Sequence, residues 1–225
     1  MSACCRNGRH LLLAVFLAAA CLLTTGAPAL EFDAIGVQNL AAQRYGAAGK
    51  RSVTKWLHLL QLKGLSTDRQ LRRVNTFWNE MVMGTEDLAL WSREDYWATP
   101  LETLGRRAGD CEDYVIGKYF SLIHMGVPEE KLRFIYVRLD QGGSKSIAHM
   151  ILGYYATPES EPLILDSLTD SIRPASQRRD LKPVFSFNLQ GIYIDGPARA
   201  NVERIGRWRD LKLRMQQQGL APSSD

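Results

Sequence analysis

The sequence carries a cysteine at the start of an apolar helix pattern, where a thiol could act as a nucleophile. Cys111 lies in the string Gly109-Asp110-Cys111-Glu112-Asp113-Tyr114, and a helix start beside an imidazolium favours the reactive thiolate. His149 and Asp166 follow, each inside an apolar run typical of a β-strand. This order predicts a nucleophile, a general base and a group that orients the base. Without these partners, a buried and inert cysteine would be the simpler interpretation.

Two other histidines compete for the role of the base. His58 lies in a leucine-rich helix pattern, and His124 lies near the end of the helix that begins at Cys111. At 1.5 Å rise per residue, His124 is about 20 Å from the thiol. His149 is therefore the predicted base, although a histidine in a strand can also be a packed core residue.

Three carboxylates flank the cysteine and pose a physical problem. Asp110 is placed to cap the helix, and Glu112 and Asp113 complement its dipole. The same charges should raise the pKa of the thiol and oppose thiolate formation. A Ca²⁺ ion bound by Asp110, Glu112 and Asp113 would resolve the conflict, whereas zinc would have too few soft ligands. A purely structural role for the acids is the alternative, because the segment is no EF-hand loop.

The N-terminal residues predict a cleaved secretory signal peptide. Two arginines precede an apolar stretch from Leu11 to Leu23, and Ala27-Pro28-Ala29 fits a small-residue cleavage pattern. The apolar stretch of 13 residues is shorter than the about 20 that a membrane-spanning helix needs. Residues 1–29 are therefore predicted to be removed on export, with an uncleaved anchor or lipidation at Cys21 as alternatives.

Export would leave Cys111 without a partner for an intramolecular disulfide, because the other three cysteines lie in the leader. An unpaired thiol is uncommon in an oxidising compartment, and this favours a role as nucleophile for Cys111.

The formal net charge of +4 includes two leader arginines and does not indicate a nucleic-acid partner. The basic stretch from Arg199 to Arg214 predicts an amphipathic helix with Leu213 inward, or, alternatively, a surface for an acidic partner or membrane.

Residues 30–225 predict a single α+β domain. Leu71, Val74 and Trp78 recur at helical spacing, whereas the runs after Leu132 are rich in strand formers. Helices followed by successive strands predict helices packed on an antiparallel sheet. The aromatic segment from Trp91 to Pro100 is predicted to be an ordered loop, with its side chains in the core or along a groove.

One hairpin would bring the predicted base and its orienting acid together. If residues 156–159 form the tip, Tyr155 pairs with Ser160, and the register puts His149 directly opposite Asp166. Facing residues share one side of a sheet, so the two side chains could touch. A slip of one residue would send them to opposite faces.

Several motifs together resemble a known family. They are Gly109-Asp110-Cys111-Glu112-Asp113-Tyr114, Ala148-His149-Met150, Leu163-Ile164-Leu165-Asp166, Pro174-Ala175-Ser176-Gln177-Arg178 and Tyr96-Trp97-Ala98-Thr99-Pro100. The combination is similar to the bacterial transglutaminase-like cysteine proteases of the LapG type and covers most of the chain after the leader. The resemblance implies a papain-like or transglutaminase-like core.

The resemblance also implies a function and a set of partners. It implies a calcium-dependent periplasmic endopeptidase with the triad Cys111, His149 and Asp166, and it matches Asp110, Glu112 and Asp113 to the calcium site. Such proteases cleave the N-terminal region of a large surface adhesin after a pair of alanines and so release the cell from a biofilm. An inner-membrane receptor that senses cyclic di-GMP restrains them. A transglutaminase or amidase with the same triad, and a noncatalytic binding module of the same fold, stay open as alternatives.

Overall fold

The computed structural model describes residues 33–143, 145–194, 196 and 198–220. The helices are α1 (Ala34–Leu60), α2 (Thr67–Met81), α3 (Asp87–Trp91), α4 (Pro100–Arg106), α5 (Cys111–His124) and α6 (Gly206–Gln217). The strands are β1 (Met83–Gly84), β2 (Ala108–Gly109), β3 (Leu132–Asp140), β4 (Ser146–Tyr154), β5 (Leu163–Asp166), β6 (Thr169–Pro174), β7 (Leu181–Asn188), β8 (Gly191–Tyr193) and β9 (Ala198–Ala200). The signal peptide predicted for residues 1–29 lies outside the described residues.

Seven strands form one sheet in the order β6-β5-β4-β3-β7-β8-β9, and every neighbouring pair is antiparallel. This arrangement of helices on an antiparallel sheet confirms the predicted α+β class. Within the described residues, no helix is both long and apolar enough to cross a membrane.

The two faces of the sheet bury different side chains. Along β3, Leu132 and Phe134 belong to the main core with the helices, whereas Ile135 and Val137 belong to a smaller cluster on the other face. This alternation follows from the two-residue period of a strand. The main core includes four fully buried tryptophans, Trp56, Trp78, Trp97 and Trp208, so helices from both ends of the chain close over one face.

The helices follow the sequence pattern with two exceptions. Leu71, Val74 and Trp78 of α2 are buried, as their spacing predicts. Helix α1 is interrupted at Gly46, which has a φ of 66° that glycine adopts without strain. Leu213 of α6 is 58% exposed, so its predicted inward position is wrong. The residues before Gly206 form a short strand and a 3₁₀ turn, not helix. The buried stripe of α6 falls instead on Trp208, Leu211 and Met215, about one helical turn apart.

The pairing of β4 with β5 differs from the predicted register. Leu152 pairs with Leu165 and Tyr154 with Leu163, a shift of two residues along the strand. The connection between the strands closes its own turn, since the amide of Ser160 donates to the carbonyl of Thr157 at 3.0 Å, and the following Pro162 has no N–H for a ladder bond. A shift of two preserves the face of every side chain. The predicted direct pairing of His149 with Asp166 is therefore wrong, but their shared face is retained.

Candidate active site

Cys111 is the first residue of α5 and opens into a cleft. Strands β1 and β2 form a short parallel pair just before it, with Gly84 opposite Gly109, and this pair fixes how the chain enters the helix. The thiol is partly buried and donates to Oε2 of Glu112 at 3.1 Å. Cys111 and His149 line the same cleft, whose volume is about 540 Å³.

His149 and Asp166 are buried and in direct contact behind this cleft. Nε2 of His149 lies 2.8 Å from Oδ1 of Asp166, so the ring orientation leaves Nδ1 as the nitrogen that can act elsewhere. Their side chains are 5% and 0% exposed. A buried carboxylate that fixes one imidazole nitrogen is the arrangement that orients a general base.

Asp166 accepts hydrogen bonds from two further groups besides His149. Its Oδ2 accepts a hydrogen bond from Nη2 of Arg178 at 2.8 Å, and the backbone amide of Leu168 donates to Oδ1 at 3.1 Å. Burial on its own raises the pKa of Asp166, but the contacts with His149, Leu168 and Arg178 outweigh it and lower that pKa to about 2. The carboxylate is therefore charged throughout the neutral range and available to a protonated imidazole.

The sequence did not reveal the role of Arg178. It lies in the motif Pro174-Ala175-Ser176-Gln177-Arg178, but its contact with Asp166 depends on the way the chain turns back after β6 through the short 3₁₀ helix Ala175–Gln177. The same guanidinium also pairs with Asp180 at 2.7 Å. Arg178 thus ties the end of β5 to Asp180, the residue just before β7.

The competing histidines lie elsewhere. His58 is exposed on α1, and His124 is the last residue of α5. Neither lines the cleft that contains Cys111 and His149.

Of the aromatic loop residues, Trp97 is a core residue and stacks on Phe187 with a centroid distance of 5.8 Å.

Three carboxylates cluster beside Cys111, and one of them was not foreseen. Carboxylate oxygens of Asp87, Asp110 and Glu112 all lie within 4.8 Å of one another. Asp113 points into the protein, where its Oδ1 accepts the backbone amide of Ala98 at 2.7 Å. The described structure thus groups Asp110 and Glu112 with Asp87, while ligand roles for Asp110, Glu112 and Asp113 stay predictions.

Asp87 reaches the cluster through the short parallel pair of strands. It begins α3 three residues after Gly84, and Asp110 directly follows Gly109, the partner of Gly84. The carboxylate of Asp87 also accepts the backbone amide of Tyr96, which ties the aromatic loop to the cluster. A two-residue parallel pairing leaves no hydrophobic periodicity, so no sequence pattern indicated this contact.

The electrostatics of the cluster fit a site for a hard cation. Burial, followed by the charge of Glu112, raises the pKa of Asp110 to about 10, and burial chiefly raises that of Asp87 to about 6. Oδ1 of Asp87 and Oδ1 of Asp110 are buried and have no hydrogen-bond partner among the described residues. Buried, mutually repelling and unpartnered carboxylate oxygens are the donor set that Ca²⁺ prefers.

The same charges act on the nucleophile. Burial raises the pKa of the Cys111 thiol, and the charges of Glu112 and Asp110 raise it further, whereas the backbone amide of Met150 lowers it. Met150 directly follows His149 on β4, so the thiol lies close to the strand that carries the predicted base. Without a positive charge nearby, the acidic cluster opposes the thiolate.

The fold and this constellation define a class of enzyme. Residues 55–179 match the family model described as bacterial transglutaminase-like cysteine proteinase, and the chain belongs to that family.

Similar solved structures include three of one protein, Legionella pneumophila LapG. Legionella pneumophila LapG has 39% sequence identity and a TM-score of 0.71 over 84% of this chain and 99% of its own. Its EGTA-treated form has 39% sequence identity and a TM-score of 0.72, over 84% of this chain and 100% of its own. Its calcium-bound form has 40% sequence identity and a TM-score of 0.70, over 81% of this chain and 99% of its own. None of the curated proteins matches the chain. The chain is thus a LapG-type cysteine protease.

Proposed function

We propose that this protein is a calcium-dependent periplasmic cysteine endopeptidase in which Cys111, His149 and Asp166 form the catalytic triad. The observation that carries the proposal is the shared cleft of Cys111 and His149, with Asp166 bonded to the far side of the imidazole. The mature enzyme would be a single domain of residues 30–225, exported by the leader of residues 1–29.

The residues of the cleft have complementary roles in amide hydrolysis. His149 takes the proton of the Cys111 thiol, and the sulfur attacks the carbonyl carbon of the scissile peptide bond. Backbone amides at the start of α5, which have no partner inside the helix, donate to the developing oxyanion. His149 then gives its proton to the leaving amine, and water hydrolyses the acyl-enzyme. Asp166 stabilises the imidazolium at both stages, and Arg178 keeps Asp166 in position.

The carboxylate cluster would hold the calcium ion. Asp87, Asp110 and Glu112 are the residues whose oxygens converge, and Asp113 is retained as a fourth candidate from the family resemblance. A bound Ca²⁺ would neutralise the charges that oppose the thiolate and fix the segment that carries Cys111. The calcium-bound form of Legionella pneumophila LapG supports the choice of metal.

The substrate and the control of the enzyme are proposed from the family resemblance. The substrate would be the N-terminal region of a large cell-surface adhesin, cut near a pair of alanines to release a biofilm. Two apolar side chains that line the cleft, Ile147 and Leu168, are 45% and 61% exposed and available to contact a substrate. An inner-membrane receptor that senses cyclic di-GMP would restrain the protease.

A cleavage assay tests the reaction and the metal together. Purified protein is incubated with an adhesin fragment that contains the alanine pair, with Ca²⁺ or with EGTA, and the products are weighed by mass spectrometry. We expect two new termini with Ca²⁺ and intact fragment with EGTA. Cross-linked or amine-tagged products would instead identify a transglutaminase. Binding without any product under either condition would identify a noncatalytic module.

A further inference from the structure

A second cavity lies on the face of the sheet opposite to α5. It has a volume of about 320 Å³ and opens between strands β3, β4, β5 and β7. Its apolar floor consists of the smaller core cluster, including Ile135, Val137, Ile151 and Ile164, which are 2–5% exposed. Cavities of this size with apolar walls and a few fixed polar groups are typical of small-ligand sites.

The charged groups of this cavity are all of one sign. Among the described residues that line it, Arg133 and Arg178 are the charged ones, and no carboxylate is present. The guanidinium carbon of Arg133 lies 3.9 Å from the ring centroid of Tyr193 and 4.6 Å from that of Tyr155. Stacking between two tyrosine rings fixes this guanidinium and removes much of its contact with water.

Both arginines keep a donor that nothing in the described chain uses. Nε of Arg133 and Nη1 of Arg178 are buried and have no hydrogen-bond partner in the described parts of the protein. The side chain of Arg178 is only 11% exposed. A buried donor without an acceptor is costly, so a ligand that supplies an acceptor here would gain affinity.

We propose that this cavity is a binding site for an aliphatic carboxylate, the head group meeting Arg133 and Arg178 and the chain lying on the apolar floor. Charge complementarity selects the anion, since no acid lines the cavity and Arg133 has no ion-pair partner in the described chain. Arg178 is already paired with Asp166 and Asp180 and contributes its unused Nη1 donor. The apolar side chains around them select a ligand with a hydrocarbon body over a small polar anion. The cavity shares Arg178 with the support of the catalytic dyad, but neither Cys111 nor His149 lines it.

Arg178 connects this cavity to the catalytic dyad. Its Nη2 donates to Oδ2 of Asp166, the residue that orients His149. A bound carboxylate would draw the same guanidinium toward itself and weaken its hold on Asp166, so we expect occupancy to lower kcat. This coupling rests on the proposed function, whereas binding itself does not.

Binding is tested by calorimetry with sodium decanoate, kept below its micelle concentration, on the calcium-loaded protein. We expect a Kd below about 1 mM and at least tenfold weaker binding of decanol and of acetate, which lack the charge or the chain. Arg133→Met should weaken decanoate binding at least tenfold. Arg138→Met, an exposed arginine on the same strand, should bind within twofold of the unchanged protein.

A second variant guards against an Arg133→Met protein that does not fold. Ser186→Phe would place a ring in the cavity, which Ser186 lines from β7, and should also abolish decanoate binding. Equal affinity for decanoate and decanol, or unchanged decanoate binding in both variants, would overturn the site.

The coupling has its own readout. Saturating decanoate should lower kcat for adhesin cleavage at least threefold in the unchanged protein and leave Arg133→Met unaffected. Binding with no change of kcat would refute the coupling and leave the site. A protein that cleaves nothing would refute the proposed function, while the calorimetry would still decide the site.

Discussion

Asp166 contacts His149 from a position two residues away from direct cross-strand pairing. The distance from Nε2 to Oδ1 is 2.8 Å, although Leu165 pairs with Leu152 and the strands are offset accordingly. Diagonal neighbours on one face of an antiparallel pair remain within reach of long side chains. The contact fixes the ring orientation of the proposed base, because one nitrogen is committed to the acid.

This contact predicts the effect of removing the charge of Asp166. Asp166→Asn keeps a carbonyl oxygen but loses the negative charge that stabilises the imidazolium, so we expect kcat to fall at least about 100-fold. The measurement is kcat for adhesin cleavage. Asp170→Asn, an exposed aspartate on β6, should retain activity within about threefold. Equal losses in both variants would contradict a special role for Asp166.

The geometry of the carboxylate cluster predicts which acids bind calcium most strongly. Asp87→Asn removes one of the three converging carboxylates, so we expect the calcium Kd to rise at least about tenfold. Asp140→Asn, an exposed acid at the end of β3, serves as the control and should leave the Kd unchanged. Calorimetric titration with Ca²⁺ measures both, and the same titration of Asp113→Asn decides whether the fourth candidate is a ligand. An unchanged calcium Kd for Asp87→Asn would show that Asp87 is not a ligand of the ion.

Lys118 predicts an unusual dependence of stability on pH. The side chain is fully buried on α5 and its Nζ has no hydrogen-bond partner in the described structure. Burial lowers its pKa from 10.5 to about 7, although the charges of Asp166 and Asp170 oppose the shift. Between these two pKa values the unfolded chain binds the proton and the folded chain does not. The free energy of unfolding should therefore rise with pH there, by up to about 1.4 kcal/mol per pH unit.

Removal of the amine should abolish that slope. We expect Lys118→Met to be more stable than the unchanged protein at pH 6 and to lose this advantage progressively toward pH 10. Urea unfolding at pH 6, 7.5 and 9 measures the difference. Lys182→Met, an exposed lysine on β7, should show no such trend. Parallel curves for Lys118→Met and the unchanged protein would refute the shifted pKa.

Gly117 predicts a steric limit inside α5. A Cβ atom there would lie 2.4 Å from ring atoms of Trp78, and both residues are in the core. We expect Gly117→Ala to lower the free energy of unfolding by about 1–3 kcal/mol, the usual cost of overpacking. Gly206→Ala, in the first turn of α6 with its nearest neighbour at 4.0 Å, is the matched control and should not destabilise. Equal thermal stability of both variants would contradict the close approach.

The sequence indicated Cys111 and His149, which line one cleft, and Asp166, which contacts His149, because their local patterns are strong. Cys111 stands at a helix start marked by acids, and His149 and Asp166 stand in apolar runs with strand character. Their shared face survived the error in register, because the side-chain period of a strand is two and the error was also two. The fold class followed from the same patterns.

The contacts that the sequence missed depend on chain geometry without periodicity. Asp87 joins the cluster through a parallel pair of two residues each, and Arg178 reaches Asp166 through a short 3₁₀ turn. The stripe of α6 was misplaced because the segment before Gly206 forms a short strand and a 3₁₀ turn, so a helical spacing counted from Arg199 does not continue into α6. Short connections and helix starts set these positions, and neither leaves a repeated hydrophobic signal.

In the proposed reaction, the thiol of Cys111, activated by His149, cleaves a peptide bond. The most direct measurement is cleavage of the adhesin fragment by the calcium-loaded protein and by Cys111→Ala, with circular dichroism to verify that both are folded. We predict cleavage by the unchanged protein and none by Cys111→Ala. Cleavage by the folded Cys111→Ala variant at an undiminished rate would rule out Cys111 as the nucleophile.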